Sequence, residues 1–404
     1  MANVILITTD ATRRDMFGCY GNPINLSNFI DSLAAQSLLF TKAQSSGPYT
    51  QAAFPGLLSS SHYLDYGKPG RLSGHRTLIS EVLKEAGIKT AGFHSNPYLS
   101  SYFGWNRGWD VFYDSLEVDV SPKQPYIKGD AINRKVTEWL SSHKTAEGSR
   151  PFFLWVHYMD VHEPYIPERK YLETVDPSVT LNEKEMFKLF QDTVVRQNVT
   201  DPEQIALLKT LYAAHVREVD DYVRELVEHL DRMNLLKDST LIITSDHGDE
   251  FNEHGGLSHQ DKVYSELIDI PLLIYGANEK GISDRLVSNV DIPATVVQLF
   301  GLNPVERFQG VSLLPTSEYP AKGCFGEALF QVKGKGGDLQ RDVYYYREDD
   351  LKVIYRANPD SWEMYDLKED PRELNNVVDS HGSTEAFKAK LRPRVRRWEK
   401  TSPN

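Results

Sequence analysis

Ser245-Asp246-His247-Gly248-Asp249, followed by Glu253-His254-Gly255, directly follows the apolar, β-branched run Leu241-Ile242-Ile243-Thr244. That run reads as a buried strand. A carboxylate and an imidazole side by side at a strand's end are placed to grip one divalent metal. Asp10 holds the same position after a second such run, Val4-Ile5-Leu6-Ile7. In doubly wound sheets, ligands bind outside the carboxyl ends of the strands. Two strand ends tipped with metal-type ligands therefore predict one shared site.

Outward from these two strands, helix-like and strand-like runs alternate. Leu26 to Leu38 has helical spacing, with Ser27 as the candidate N-cap, and Thr77 to Ala86 predicts a helix that Gly87 stops. Strands are predicted at Ile88 to Phe93, Phe152 to Val156, Thr240 to Thr244 and Ile270 to Tyr275. Helices are predicted at Asp130 to His143, Glu203 to Met233 and from Asp291 to Gly301. This alternation implies an α/β fold with a mostly parallel central sheet covered on both faces. Residues 167–200 are polar and poorly periodic and read as an insertion, either a lid or a plain surface excursion. From 309 to 404 the style changes to short strand candidates and a basic helix, Glu385 to Lys400, so a small antiparallel α+β subdomain is expected after a catalytic domain of residues 1–308.

The chain of 404 residues is too long for one compact core, and its charged fraction of 25% is ordinary for a globular protein. A formal charge of −12 argues against nucleic acid or an anionic membrane surface as partner. It does not exclude a small anionic substrate, because local cations override the global field. Two cysteines, Cys19 and Cys324, offer no disulfide framework. The first strand begins at once after Met1-Ala2-Asn3, and no stretch approaches a membrane span, so a cytoplasmic protein is expected. The oligomeric state is not readable.

The chemistry rests on four constellations. Asp10 and Asp246 offer hard oxygens and His247 a borderline nitrogen, a set that suits Zn²⁺, Mn²⁺ or Fe²⁺ better than Ca²⁺. Ser45 to Ala53, with Pro48 and Gln51-Ala52-Ala53, reads as a loop entering a helix with Thr50 in its first turn. Such a helix start favours an anion, and a hydroxyl there is either an activated nucleophile or an ordinary N-cap. The strand at Phe152 delivers His157, Asp160 and His162 to its end, either as site residues or as buried, hydrogen-bonded side chains. Finally, His259 and Lys262 follow the Asp246-His247 pair in a loop, where Lys262 either neutralises an anion or is solvated surface.

At these residues the chain resembles the sulfatase branch of the alkaline phosphatase superfamily, over nearly its whole length. Asp10 to Asp15 with Gly18-Cys19-Tyr20-Gly21 resembles that family's opening metal motif. Ser245 to Gly248, Glu253 to Gly255, Lys262 and Ile270 to Leu273 resemble its second, and Val287 to Gly301 and Met364 to Asn376 its C-terminal signatures. The resemblance implies one divalent metal held by Asp10, Asp246 and His247, with Thr50 as nucleophile and fourth ligand. It implies contacts from His162 and Lys262 to the transferred group or the leaving oxygen. Asn96, His157 and His259 are the remaining candidates for substrate binding.

Departures from the family pattern narrow the reading. Sulfatases carry a Cys or Ser, matured to formylglycine, in Cys-x-Pro-x-Arg; here that place reads Thr50-Gln51-Ala52-Ala53-Phe54. The paired first aspartates appear as Asp10-Ala11, and the usual Lys-Trp-His segment as Ser95-Asn96-Pro97. An unmodified Thr resembles the relatives that act on phosphorus esters. The expected activity is hydrolysis of a small anionic phosphodiester or phosphonate monoester, with His162 as general acid. The rivals are a sulfate-ester hydrolase without formylglycine, a phosphoryl transferase, a two-metal centre drawing on His157, Asp160 and His259, and a non-catalytic metal-binding protein.

Overall fold

A computed structural model describes residues 3–66, 70–147, 150–259, 261–314, 323–332 and 339–401. Among the described residues, ten strands precede residue 300: β1 (Asn3–Thr9), β2 (Ser37–Gln44), β3 (Lys89–Phe93), β4 (Val111–Tyr113), β5 (Phe152–Tyr158), β6 (Ser239–Ser245), β7 (Glu250–Phe251), β8 (Leu257–Ser258), β9 (Leu272–Tyr275) and β10 (Gly281–Ser288). Eight of them form one sheet in the order β10-β2-β9-β6-β1-β5-β3-β4. Five of its pairings are parallel, and only β9 runs against its neighbours β2 and β6.

Side chains alternate across a strand, so a strand buried on both faces feeds two cores. Ile5 and Ile7 of β1 pack with Ile132, Val136 and Leu208 of the Gly129–Glu147 and Pro202–Arg232 helices. Val4 and Leu6 turn the other way, onto Phe54, Leu57 and Leu83 of the Thr50–Ser59 and Ile79–Glu85 helices. This is the alkaline-phosphatase-like α/β architecture, and it explains why β1, β5 and β6 read as unbroken apolar runs.

Sheet register brings the site together. β1 lies between β5 and β6, with Thr9 paired to both Tyr158 and Ser245. The residues that follow each strand end, Asp10 and Asp246, therefore emerge side by side at the same carboxyl edge.

Some local readings are corrected. The helix expected from Leu26 to Leu38 stops at Ala34, and Ser37 onward is strand β2. Pairing with β9 and β10 outweighs the helical spacing of Leu38 and its neighbours. Ser27 makes no capping bond to its helix; its hydroxyl lies between Gly18 N and the Asp31 carboxylate instead. The region expected as a subdomain from 309 contains a four-stranded antiparallel sheet, β11 (Cys324–Val332), β12 (Leu339–Glu348), β13 (Leu351–Ala357) and β14 (Asp360–Asp366), followed by the Thr384–Thr401 helix. Residues 167–200 form two short helices, Arg169–Val175 and Glu183–Phe190, closed by a π-turn at Gln191–Val195. Among the described residues no helix is long and apolar enough to cross a membrane.

Candidate active site

Asp10, Asp246 and His247 are completely buried, and one ligand atom from each lies within 4.8 Å of the others. His247 Nε2 is 3.7 Å from Asp10 Oδ1 and 3.4 Å from Asp246 Oδ2. These three atoms have no hydrogen-bond partner among the described residues. Orphaned, converging polar atoms are costly in a core unless a cation joins them. The rest of each side chain is fixed. Asp246 Oδ1 accepts from the backbone N–H groups of Ala11 and His247, and His247 Nδ1 donates to the Gly248 carbonyl at 2.9 Å. That bond leaves the Nε2 lone pair free, and burial together with the nearby His259 charge pulls the imidazole down to about 3. A neutral imidazole and two carboxylates fit a divalent cation.

The other oxygen of Asp10 meets a second set of side chains. Asp10 Oδ2 faces His157 Nε2 at 3.1 Å and accepts from Asn96 Nδ2 at 2.8 Å. Burial alone would raise the Asp10 carboxyl, but the His157 hydrogen bond and the neighbouring His162 and His247 hold it far below the carboxylate range. Asn96 Nδ2 also donates to Thr50 Oγ1 at 3.1 Å, and that hydroxyl lies 3.4 Å from Asp10 Oδ2. Thr50 is the first residue of its helix and Tyr49 is the N-cap, so Thr50 does not cap the helix. Its hydroxyl is held by side chains from two other segments.

A second group borders the first. His259 Nδ1 donates to Asp249 at 2.7 Å, and its ring centre lies 4.4 Å from that of His247 and 4.9 Å from that of His162. His162 Nδ1 donates to the Glu163 carbonyl at 2.8 Å and lies 3.4 Å from the Glu163 carboxylate. Burial opposes a charge on His162, but the Glu163 and Asp10 carboxylates outweigh it and raise its pKa. The same competition, with Glu163 and Asp249, raises His259 to about 10. Asp10, Asp246, Asp249 and Glu163 thus share one pocket in which no described Lys or Arg pairs with them. Histidines alone balance this charge, which again suits a bound cation.

Residues 2–302 match the Sulfatase family, and residues 252–401 match the C-terminal region of N-sulphoglucosamine sulphohydrolase. The chain belongs to the sulfatase family. It lies within the alkaline phosphatase superfamily, and is similar to the uncharacterized sulfatase YidJ of Escherichia coli (strain K12), at 25% identity over 93% of this chain and 83% of that protein. By structure it is similar to BT4656, solved in complex with its substrate D-glucosamine-2-N,6-O-disulfate, with a TM-score of 0.80, 18% identity, and coverage of 100% of this chain and 99% of that one. It is also similar to the phosphonate monoester hydrolase of Agrobacterium radiobacter, with a TM-score of 0.76, 17% identity, and coverage of 99% and 96%. The chain is thus a sulfatase-family ester hydrolase, and the family's dependence on a metal agrees with the orphaned cluster at Asp10.

Within this sulfatase-family site, four of the residues singled out in the sequence have their side chains engaged by other protein groups. Lys262 does not face the cluster: its ammonium bonds both Glu250 oxygens, at 2.8 and 2.7 Å, and the His254 carbonyl at 2.7 Å. His157 is fully buried, with its Nε2 on the Asp10 carboxylate and its Nδ1 on the Thr8 hydroxyl. Asn96, at 1% exposure, donates to both Thr50 and Asp10. Asp160, named as a ligand in the two-metal rival, turns away and accepts from the Gly129 N–H at the start of a helix. Phe54, where the family carries its motif arginine, packs edge-on against Trp155 and His157. Sequence reasoning missed Asp249 and Glu163, although both stand beside residues it had singled out. It also missed Ala11, whose left-handed backbone (φ 51°) aims its N–H at Asp246.

Proposed function

We propose that this protein hydrolyses phosphorus esters, a phosphodiester or a phosphonate monoester, through Thr50 as nucleophile. The observation that supports this most is the Thr50 hydroxyl held between Asn96 and Asp10, with no modifiable Cys or Ser and no motif arginine beside it. A divalent cation on Asp10, Asp246 and His247 would polarise the ester's non-bridging oxygen and favour ionisation of a nearby hydroxyl. The chain's own groups do the rest. The Thr50 oxygen attacks phosphorus while the bond to the leaving oxygen breaks in line. Asn96 donates a hydrogen bond to the attacking oxygen and so fixes its direction. His162, with Nδ1 anchored on the Glu163 carbonyl, keeps Nε2 for giving a proton to the leaving oxygen. His259, oriented by Asp249, is placed to hold an oxygen of the transferred group. Water then attacks the phosphothreonine and regenerates the hydroxyl.

Phosphorus is favoured over sulfur on chemical grounds. A hydrated aldehyde releases sulfate by elimination across its second hydroxyl, and a plain threonine ester has no such route. The sulfate-ester reading keeps a place because the named relatives are mostly sulfatases, including an N-acetylglucosamine-6-O-sulfatase of Bacteroides thetaiotaomicron. A multifunctional alkaline phosphatase superfamily protein of Trinickia caryophylli points the other way. The deciding experiment assays the purified protein, with Mn²⁺, Zn²⁺, Fe²⁺ or Ca²⁺ added, on aryl sulfate, aryl phosphodiester and aryl phosphonate esters. Phosphorus-ester rates above the sulfate rate support the proposal; a dominant sulfate rate overturns it.

A further inference from the structure

Beside the Thr50 helix lies a cleft of about 270 Å³ lined by Gln51, Pro55, Tyr98, Trp105, Arg71 and Arg76 among others. Ligand pockets commonly span about 300–1,000 Å³, so this one has room for roughly a single ring. It adjoins the reacting centre along two routes. Gln51 follows Thr50 directly, and Tyr98 N donates to Asn96 Oδ1 at 2.9 Å, the side chain that holds the Thr50 hydroxyl. Behind it, Trp105 meets Phe54 edge-on at 6.2 Å, and Phe54 meets His157 at 5.0 Å.

The cleft's charge is opposite to that of the protein. The chain carries −12 overall, yet among the described residues two arginines and no acidic residue line this space. Neither arginine makes an ion pair with a described residue. Arg76 is 5% exposed, and its guanidinium is fixed on the carbonyls of His62 and Tyr63 and the hydroxyl of Ser61, with Tyr66 stacked at 4.7 Å. Burial pulls Arg76 down to about 10, although the Asp65 and Glu327 charges oppose the shift. Arg71 is exposed and rests over the Tyr102 ring at 4.7 Å. Aromatic walls favour the flat face of a ring, and two guanidinium groups without an ion-pair partner among the described residues favour an anion on it.

We propose that this cleft receives the leaving group, and that the leaving group is a ring bearing a second negative charge, remote from the ester and bound through Arg71 and Arg76. The inference rests on the hydrolase reading above and adds the substrate class to it. The test compares kcat/KM for a phenyl and a 4-carboxyphenyl ester of the turned-over type, and for glucose and glucuronate esters, so that aryl and sugar rings are distinguished. At least one carboxylated ring should be preferred by about tenfold, the scale of one charge-assisted hydrogen bond. Arg71→Ala, at an exposed position, should lower kcat/KM for that carboxylated ester about tenfold more than for its neutral partner. A second readout needs no turnover: calorimetric binding of 4-hydroxybenzoate and glucuronate against phenol and glucose, to wild type and to Arg71→Ala. Tighter binding of a carboxylated ring, lost in Arg71→Ala, sustains the inference even if no ester is cleaved, in which case only the hydrolase reading fails. Equal kcat/KM and equal binding within both ring pairs, or a preference untouched by Arg71→Ala, overturns the inference and leaves the hydrolase reading standing.

Discussion

Asp10 and His157 meet at 3.1 Å through one carboxylate oxygen, while the other oxygen of Asp10 points at His247 with no partner. One carboxylate thus serves two sides of the site. Oδ2 is tied to His157, Asn96 and Thr50, and Oδ1 is left for a cation. The Thr50 hydroxyl and the open side of the Asp10–Asp246–His247 cluster therefore depend on the same side chain.

Thr50→Ala removes the attacking oxygen but no atom of the Asp10–Asp246–His247 set. Turnover of any ester substrate should fall by at least about 10³-fold, on the scale of nucleophile deletions in other hydrolases. Metal content by atomic spectroscopy should stay near the wild-type value. Retained turnover would exclude the threonine mechanism.

Asn96→Ala should lower kcat by about 10²-fold, the usual effect of losing one donor on a charged transition-state oxygen. KM should move much less, because Asn96 is buried behind the nucleophile. A rise in KM with kcat intact would assign Asn96 to substrate binding after all.

Chelation should destabilise the protein, because it leaves Asp10 and Asp246 facing each other in a dry core; burial and the Asp10 charge already push the Asp246 carboxyl far up. Wild type should lose several degrees of Tm on treatment with EDTA. Asp246→Asn should lose far less, and should melt above wild type once both are metal-free. Equal chelator responses would count against a cation at this position.

Lys262→Met should act on stability more than on chemistry. It strands the buried Glu250 carboxylate, at a cost of about 2–4 kcal/mol in thermal or denaturant unfolding. Once folded, the variant should keep kcat/KM within about tenfold of wild type. A loss of 10³-fold or more would return Lys262 to the reacting centre.

Glu327 gives a pH dependence away from the site. It is buried, accepts from Leu64 N–H at 2.7 Å, and is raised from 4.5 to about 7 by burial and the nearby Asp65 charge. Between these values the folded protein binds more proton than the unfolded chain, so stability falls as pH rises from about 4.5 to 7. Glu327→Gln keeps the acceptor and removes the charge. Its Tm should exceed that of wild type at pH 8 and match it at pH 4. A difference that grows at low pH would show that the carboxylate is stabilising.

Much of this was legible in the chain. β1, β5 and β6 announced themselves as apolar runs because parallel strands are buried on both faces. Asp10 and Asp246 were readable as partners because each follows such a run. Strands β2, β4 and β10 were not, since their edge or near-edge positions leave weak patterns that pairing, not propensity, resolves. Lys262 shows the same limit at the site. Its spacing after His247 suggested an anion contact, but only the folded chain brings Glu250 and the His254 carbonyl within reach, and a carboxylate at 2.7 Å captures a lysine.

The sequence by itself determined which strand ends carry metal-type ligands, that Thr50 stands where the family's modified residue does, and that Phe54 replaces the motif arginine. Those are facts of identity and order along the chain. Tertiary structure alone decided which oxygen of Asp10 faces His157 and which is left open, that Asp249 and Glu163 pair with His259 and His162 beside the cluster, and that Lys262 pairs with Glu250. Such choices depend on angles and on competition among neighbours a few ångströms apart, drawn from segments as distant in the chain as Ala11 and Asp246, 235 residues apart, and no local pattern encodes them.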